Sequence, residues 1–323
     1  MPALVELEDL TVWLRVEGAT RAVLSEISFS IGAGEAVGLV GESGSGKSMT
    51  MRAIAGLLPT GATTSGHVRI DGVDVLTSGE RRRGTARDKV AVVFQDPRAH
   101  VNPVRRIGDF MTEALRINHG VSKDDARRRA VDILREVGVP DGARRLDQYP
   151  HELSGGLLQR VMIAASLLVD PTVLLADEPT TALDVTTQAE VMALIDDLRR
   201  ERGLAMLFIT HDLDLAGAVC DRTVVLYAGQ LMEEQQSARL HSKPRHPYTA
   251  ALVKARPDIG ATSTRLAAIP GRPLSSFEAP HGCAFAPRCS YSLPACEQAR
   301  PEVRPLDGGH VRCVRAEEVQ LDD

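Results

Sequence analysis

The chain of 323 residues is long enough for one large α/β domain with a smaller appendage, and it can bury a substantial core. Its 43% hydrophobic and 25% charged content is that of an ordinary soluble globular protein, and 3% aromatic content argues against a reader of RNA by base stacking. A formal charge of -5 gives no overall attraction to nucleic acid or anionic lipid. Residues 1–12 alternate apolar with acidic side chains and show no secretory signal, and the longest uncharged apolar stretch, 161–169, is about half of a bilayer crossing. A cytosolic chain without its own membrane span is expected.

Apolar alternation predicts strands over 4–17 and 22–31, and 35–40 reads as a short buried strand. That strand runs into Gly41-Glu42-Ser43-Gly44-Ser45-Gly46-Lys47-Ser48, and 48–58 reads as a helix that Pro59 stops. Strand, glycine loop and helix form the context in which G-x-x-x-x-G-K-[ST] binds phosphate. Gly41, Ser43, Gly44, Ser45 and Gly46 let backbone N–H groups turn onto phosphate oxygens, and the helix adds its positive end. Lys47 is placed to reach the β- and γ-phosphates, and the Ser48 hydroxyl to ligate Mg²⁺.

Further along, 67–75 looks like a hairpin turned at Asp71-Gly72, and 89–94 is a strand ending on Gln95, which is poised to join the metal shell. Residues 107–139 have helical periodicity, with Arg127-Arg128-Arg129 as a solvated face. Leu153-Ser154-Gly155-Gly156 offers a serine and bare backbone that can close on the γ-phosphate of a nucleotide held by another copy of the domain. The runs 172–176 and 205–209 suit central parallel strands covered on both faces, and 187–200 is helical between them. Asp177 and Glu178 end the first of these strands. Asp177 is expected to hold Mg²⁺ through water, and Glu178 to orient or deprotonate the attacking water. His211 follows the second strand, within reach of the γ-phosphate.

After about residue 236 prolines multiply, and Cys283, Cys289, Cys296 and Cys313 stand five, six and sixteen residues apart. Thiolates so spaced can complete an iron–sulfur cluster or a tetrahedral zinc site. The tight C-x₂₋₄-C knuckle of zinc sites is missing, so the cluster is the preferred reading, with zinc and unliganded thiols as alternatives. Disulfides are unexpected in a cytosolic chain. Cys220 reads as a core residue.

In this order the motifs resemble the ATP-binding subunits of ABC transporters. The matches are Walker A at 41–48, the Q-loop Gln95, the signature 153–156, Walker B ending in Asp177 and Glu178, the D-loop Ala182-Leu183-Asp184 and the switch His211. The resemblance implies an α/β fold of the P-loop NTPase, ABC type. Residues 1–236 would form the nucleotide-binding domain, with a parallel-sheet core, an antiparallel β-subdomain and an inserted helical subdomain at about 96–160; 237–323 would form a small Cys/Pro-rich C-terminal extension. It further implies that Ser154, Gly155 and Gly156 contact ATP bound by the opposing subunit and that Asp184 couples the two sites. Two positions depart from the family pattern. Leu157-Leu158 stands where the signature continues with Gln or Met, and strand alternation puts Leu14, with Trp13 one residue off, where an aromatic stacks on adenine.

The tail narrows the resemblance. Arg245-His246-Pro247-Tyr248-Thr249, Ile269-Pro270-Gly271-Arg272-Pro273 and Gly282-Cys283-Ala284-Phe285-Ala286-Pro287-Arg288-Cys289 look like the dipeptide and oligopeptide importer ATPases, some of which carry a [4Fe–4S] cluster there. The implied function is that of an ATPase motor subunit driving uptake of di- or oligopeptides. Nickel, glutathione and some oligosaccharide importers share parts of this tail. Implied partners are a second, related ATPase subunit in a heterodimer, two transmembrane permease subunits and an extracytoplasmic peptide-binding protein, with no nucleic acid. The location would be peripheral, on the cytoplasmic face of the inner membrane. The alternative, a soluble ABC-type ATPase acting on nucleic acid, would call for a coiled-coil insertion or tandem nucleotide domains, and the sequence has neither.

Overall fold

The computed structural model describes residues 3–77, 79–180, 184–255, 269–319 and 321. Strands β1 (Ala3–Val16) and β2 (Ala19–Gly32) pair antiparallel, and β3 (Ala36–Val40) is buried at every position and leads through the glycine loop into α1 (Lys47–Ile54). Strands β4 (Thr63–Ile70) and β5 (Val73–Asp74) turn at Asp71-Gly72, as expected. After α2 (Glu80–Arg87) and β6 (Val90–Val93) come the inserted helices α3 (Ile107–Ile117), α4 (Lys123–Glu136), α5 (Gly142–Arg145) and α6 (Gly155–Leu167). The α/β alternation resumes with β7 (Val173–Asp177), α7 (Val185–Arg202), β8 (Ala205–Thr210), α8 (Leu213–Val219), β9 (Arg222–Tyr227) and β10 (Gln230–Gln236). The extension adds α9 (Ser237–Ser242), α10 (Pro247–Lys254), α11 (Pro294–Gln298) and the hairpin β11 (Arg304–Leu306) and β12 (Gly309–Val311).

Among the described residues the strands form a four-stranded antiparallel sheet, β2-β1-β4-β5, and an eight-stranded sheet, β11-β12-β10-β9-β3-β8-β7-β6. Strands β9, β3, β8, β7 and β6 run parallel, and their continuous apolar sequences are covered on both faces. Successive residues feed different cores: Val173 and Leu175 of β7 pack with β1, β2 and α1, while Leu174 and Ala176 pack with α3, α4 and α6. Through the pairing of β12 with β10, the extension continues this sheet. A third core joins Val40, Val225 and Tyr227 to Tyr248 and Phe285 of the extension. No described helix is long and apolar enough to cross a membrane.

Two helices end sooner than the apolar pattern suggested. Helix α1 stops at Ile54, well before Pro59. Gly56 adopts φ 66° there, and the N–H groups of Gly56 and Leu57 close on the carbonyls of Ala53 and Arg52. The periodic stretch 107–139 is two helices, broken at Gly120 with φ 63° and restarted by Ser122, whose hydroxyl accepts the Asp125 N–H at 3.2 Å.

The site depends on how closely β3 lies under its neighbours. A Cβ on Gly38 would sit 3.1 Å from Thr223 Oγ1, 3.3 Å from Ala216 Cβ and 3.4 Å from Cys220 Sγ. Gly38→Val should therefore destabilise the domain by about 1–3 kcal/mol through overpacking, and Gly38→Ala by less. Urea unfolding of the two variants checks the order.

Candidate active site

The loop between β3 and α1 keeps one internal backbone bond, from the Ser45 N–H to the Glu42 carbonyl at 3.2 Å, and is otherwise held largely by its neighbours. A Cβ on Gly41 would fall 2.2 Å from the carbonyl oxygen of Leu226, so only glycine lets the loop leave β3 this close to β9. Helix α1 has no side-chain cap at Gly46 and no acidic residue in its first turn, and its first closing bond runs from the Thr50 N–H to the Gly46 carbonyl. The N–H groups of the first turn thus lack intrahelical acceptors and present positive charge toward the loop. Lys47 is buried, and its ammonium donates to the carbonyls of Gly41 at 2.7 Å and Glu42 at 3.1 Å. Burial lowers its pKa, opposed by the nearby carboxylates of Glu178, Asp177 and Glu42.

Four segments brace the loop from outside. The turn between β9 and β10 donates the Gly229 N–H to the Ser45 carbonyl at 2.9 Å. The Glu42 N–H donates to the Tyr248 hydroxyl at 3.0 Å, and the Glu42 carboxylate takes two bonds from the buried Arg288 guanidinium, at 2.6 and 3.2 Å. Arg288 lies against Tyr227 and Phe285, 5.7 and 5.8 Å from their ring centres. Finally, the Ser276 N–H donates to the Gly44 carbonyl at 3.2 Å. Tyr248, Arg288 and Ser276 all come from the extension. They lie more than two hundred positions from the loop, and no local pattern marks them as loop supports.

Other strand ends supply the remaining groups. Asp177, at the end of β7, has its pKa raised by burial and by Glu178, while a hydrogen bond with Ser48 and the charge of Lys47 oppose the rise. Glu178 has φ 44°, a backbone conformation unusual for a side chain of its size, and its N–H donates to the Ile209 carbonyl at 3.0 Å. This turn aims the carboxylate at two partners: Gln95 Nε2 donates to Oε2 at 3.4 Å, and His211 Nδ1 lies 3.3 Å from the same oxygen. Gln95, Glu178, His211 and residues Ser43, Gly44, Ser45, Gly46, Lys47 and Ser48 line one cavity of about 770 Å³. The structure thus brings together on one cavity residues expected from well-separated motifs.

Ser154, Gly155, Gly156 and Asp184 are not in the lining of that cavity. Ser154 is exposed and caps α6, accepting the Leu157 N–H at 3.4 Å. Asp184 caps α7, accepting from the Thr187 N–H and hydroxyl at 3.0 and 2.8 Å, bonds that lower its pKa. Ala182 and Leu183 of the expected D-loop lie outside the described residues. Leu158 of the departing signature is fully buried and Leu157 packs against the same core, so both act as helix-packing residues. Gln159, to which the sequence reading assigned no role, is buried and donates to the Pro179 carbonyl at 2.8 Å, tying α6 to the peptide after Glu178. Trp13 lines a separate cavity with Thr11 and Ala22, whereas Leu14 faces the phosphate-loop cavity, as alternation along β1 requires.

Cys283, Cys289, Cys296 and Cys313 line one small pocket beside His246 and Ser292. Burial raises the pKa of Cys283, Cys289 and Cys313. Among the described residues no group of three or more His, Cys, Asp or Glu is arranged to hold a metal ion. The described residues therefore support neither the expected iron–sulfur cluster nor the zinc alternative as a formed metal site. Cys220 is a buried core residue, as expected.

A phosphate loop whose lysine, acidic strand end, glutamine and histidine meet across a parallel sheet defines a P-loop ATPase of the ATP-binding cassette type. The fold resembles the cassette MJ0796, solved as a dimer in a post-hydrolysis state with ADP and phosphate, at TM-score 0.64 and 30% identity, covering 72% of this chain and 98% of that one. It also resembles CbiO1 of Clostridium perfringens, part of a cbiONQ transporter complex, at TM-score 0.63 and 27% identity, covering 74% and 91%. The ABC transporter family model matches residues 24–181, and the model described as the oligopeptide/dipeptide transporter C-terminal region matches 232–296. The chain is 41% identical over 314 residues to the dipeptide transport ATP-binding protein DppD of Escherichia coli K12, covering 96% of each. It is 40% identical over 299 residues to the oligopeptide transport ATP-binding protein OppD of Salmonella typhimurium, covering 92% of this chain and 89% of that one. The chain belongs to the ABC transporter ATP-binding family, in its dipeptide and oligopeptide transporter branch.

The Arg288–Glu42 pair gives a direct test of the bracing. Arg288→Met leaves a mostly buried carboxylate unpaired and should cost on the order of 3 kcal/mol. Thermal unfolding measures the loss, and nucleotide titration should show weaker binding by the same variant.

Proposed function

We propose that the protein is the ATP-hydrolysing motor subunit of an importer for di- or oligopeptides, working at the cytoplasmic face of the membrane on separate permease subunits. The observation that carries this reading is the meeting of Gln95, Glu178 and His211 with Lys47 on one cavity, from which the exposed signature serine is absent. A site so divided needs a second cassette to complete it. The full-length similarity to DppD and OppD supports peptide as the cargo class. A related ATPase as the second cassette, two permease subunits and an extracytoplasmic peptide-binding protein complete the assembly.

In this reading Gly41, Ser43, Gly44, Ser45, Gly46 and the first turn of α1 hold the phosphates through backbone N–H groups. Lys47 exchanges its carbonyl partners for β- and γ-phosphate oxygens. Ser48, Gln95 and Asp177 would hold Mg²⁺, which neutralises phosphate charge. Glu178 accepts a proton as the attacking water oxygen bonds to the γ-phosphorus and the bond to the ADP oxygen breaks. His211 contacts the γ-phosphate and holds the Glu178 carboxylate in place. Ser154, Gly155 and Gly156 close over the partner subunit's ATP, and Asp184 links the two sites. Glu178→Gln should lower turnover by about 10²–10⁴-fold while ATP stays bound and the dimer stays closed. Phosphate release and nucleotide retention on gel filtration check this; unchanged hydrolysis removes Glu178 from the mechanism.

We also assign a [4Fe–4S] cluster to Cys283, Cys289, Cys296 and Cys313. Tetrahedral zinc with Zn–S bonds of about 2.3 Å would need sulfurs about 3.8 Å apart, whereas a cluster joins thiolates set farther apart. His246 Nε2 and Ser292 Oγ, both on the thiol pocket, are buried without hydrogen-bond partners, and such atoms suit an anionic, sulfide-bearing group. The cluster would brace the extension. Protein purified without oxygen should show broad visible absorption that Cys289→Ser abolishes, and a colourless product with all thiols free to react rejects the assignment.

A further inference from the structure

The phosphate-loop cavity has two chemically distinct ends. Lys47, Ser48, Gln95, Glu178 and His211 make one end polar, whereas Leu14, Val16, Val23 and Phe277 make the other apolar. A nucleotide whose phosphates lie on the loop must put its base toward the apolar end. The strands β1 and β2 offer only aliphatic side chains there, since Trp13 lines a different cavity. Besides the His211 imidazole at the polar end, the one aromatic ring among the lining residues is that of Phe277, which the C-terminal extension brings in from far along the chain.

We propose that Phe277 is the platform on which the nucleotide base stacks, standing in for an aromatic on the first strand. Phe277 is 39% exposed and lines both this cavity and a neighbouring one bounded by Arg21 and Arg300. The short turn that carries it, Ser276–Glu278, is fixed on both sides. Ser276 N–H donates to the Gly44 carbonyl at 3.2 Å, and Arg21 Nη1 donates to the Phe277 carbonyl at 3.4 Å. The turn closes on itself through the Ser275 N–H bond to Glu278 at 2.9 Å, and Arg272 pairs with the same carboxylate at 2.7 Å. A Cβ on Gly229 would lie 3.0 Å from Ser276 Cβ, so the turn is pressed against the β9–β10 corner as well. Phe277 is thus held at a fixed distance from the phosphate loop, which is what a base-stacking group requires. The extension becomes part of the nucleotide site of its own chain.

This inference rests on the phosphates lying on the 41–48 loop, so the test separates the two. Equilibrium binding of Mg-ADP and Mg-pyrophosphate is measured on the full chain and on the Phe277→Ala, Phe277→Trp and Lys47→Ala variants. Base stacking on an aromatic side chain predicts that Phe277→Ala weakens ADP about tenfold or more, leaves pyrophosphate unchanged, and is rescued by Phe277→Trp. In a Trp13→Phe background, the new tryptophan should be quenched by ADP and not by pyrophosphate. If Phe277→Ala leaves ADP binding intact while Lys47→Ala abolishes it, the platform is wrong and the loop assignment stands. Equal weakening of both ligands would reduce Phe277 to a prop for the loop and overturn the proposal. Unchanged binding in Lys47→Ala would remove the loop assignment and the proposal together.

Discussion

A loop that offers backbone N–H groups to an anion can spend few of them on itself, here the Ser45 N–H on the Glu42 carbonyl, so most of its shape is imposed from outside. That constraint organises this protein. The Gly41 backbone is pressed against β9, the β9–β10 corner holds Ser45, and the extension holds Glu42 and Gly44. The aromatic group of Tyr227, Tyr248 and Phe285, with ring centres 4.7 to 5.4 Å apart, is the apolar foundation beneath these bonds. It also shields the Arg288–Glu42 pair, so that losing either partner would strand a charge in a poorly solvated place. Cassette and extension therefore share one core at this end of the molecule.

The groups on the cavity obey a second geometric rule. Parallel strands deliver their carboxyl ends to one edge of the sheet, so the residues after β3, β6, β7 and β8 arrive together although they are far apart in the chain. Glu178 meets Gln95 and His211 because of its left-handed backbone, which turns the side chain across the edge instead of into the core. The strained backbone thus sits at the edge of the phosphate-loop cavity.

Much of this was legible from residues alone. Period-two and continuous apolar runs located β1 to β8, and the strand-loop-helix context around Lys47 identified the phosphate site. The hairpin at Asp71-Gly72 was readable because its turn chemistry is local. Helix ends were less so, since α1 is terminated at Ile54 by a hydrogen-bonded glycine cap, ahead of the proline signal at Pro59. The supporting contacts of Arg288, Tyr248 and Gln159, and the place of Phe277 on the cavity, were invisible because each depends on tertiary proximity. A lone arginine, tyrosine, glutamine or phenylalanine has no spacing that announces what it will touch. The thiols were visible as a group, whereas the unpaired His246 and Ser292 atoms beside them emerged only from packing.

The Gln159 bond to the Pro179 carbonyl reaches beyond local packing. Helix α6 begins at the exposed signature and passes within one hydrogen bond of the peptide that follows Glu178. In the assembly proposed above, a facing cassette that pressed on the first turn of this helix would also press on the segment that carries Glu178. Under that proposal, engagement at the signature end would be felt at the cavity edge of the same polypeptide through a single side-chain bond.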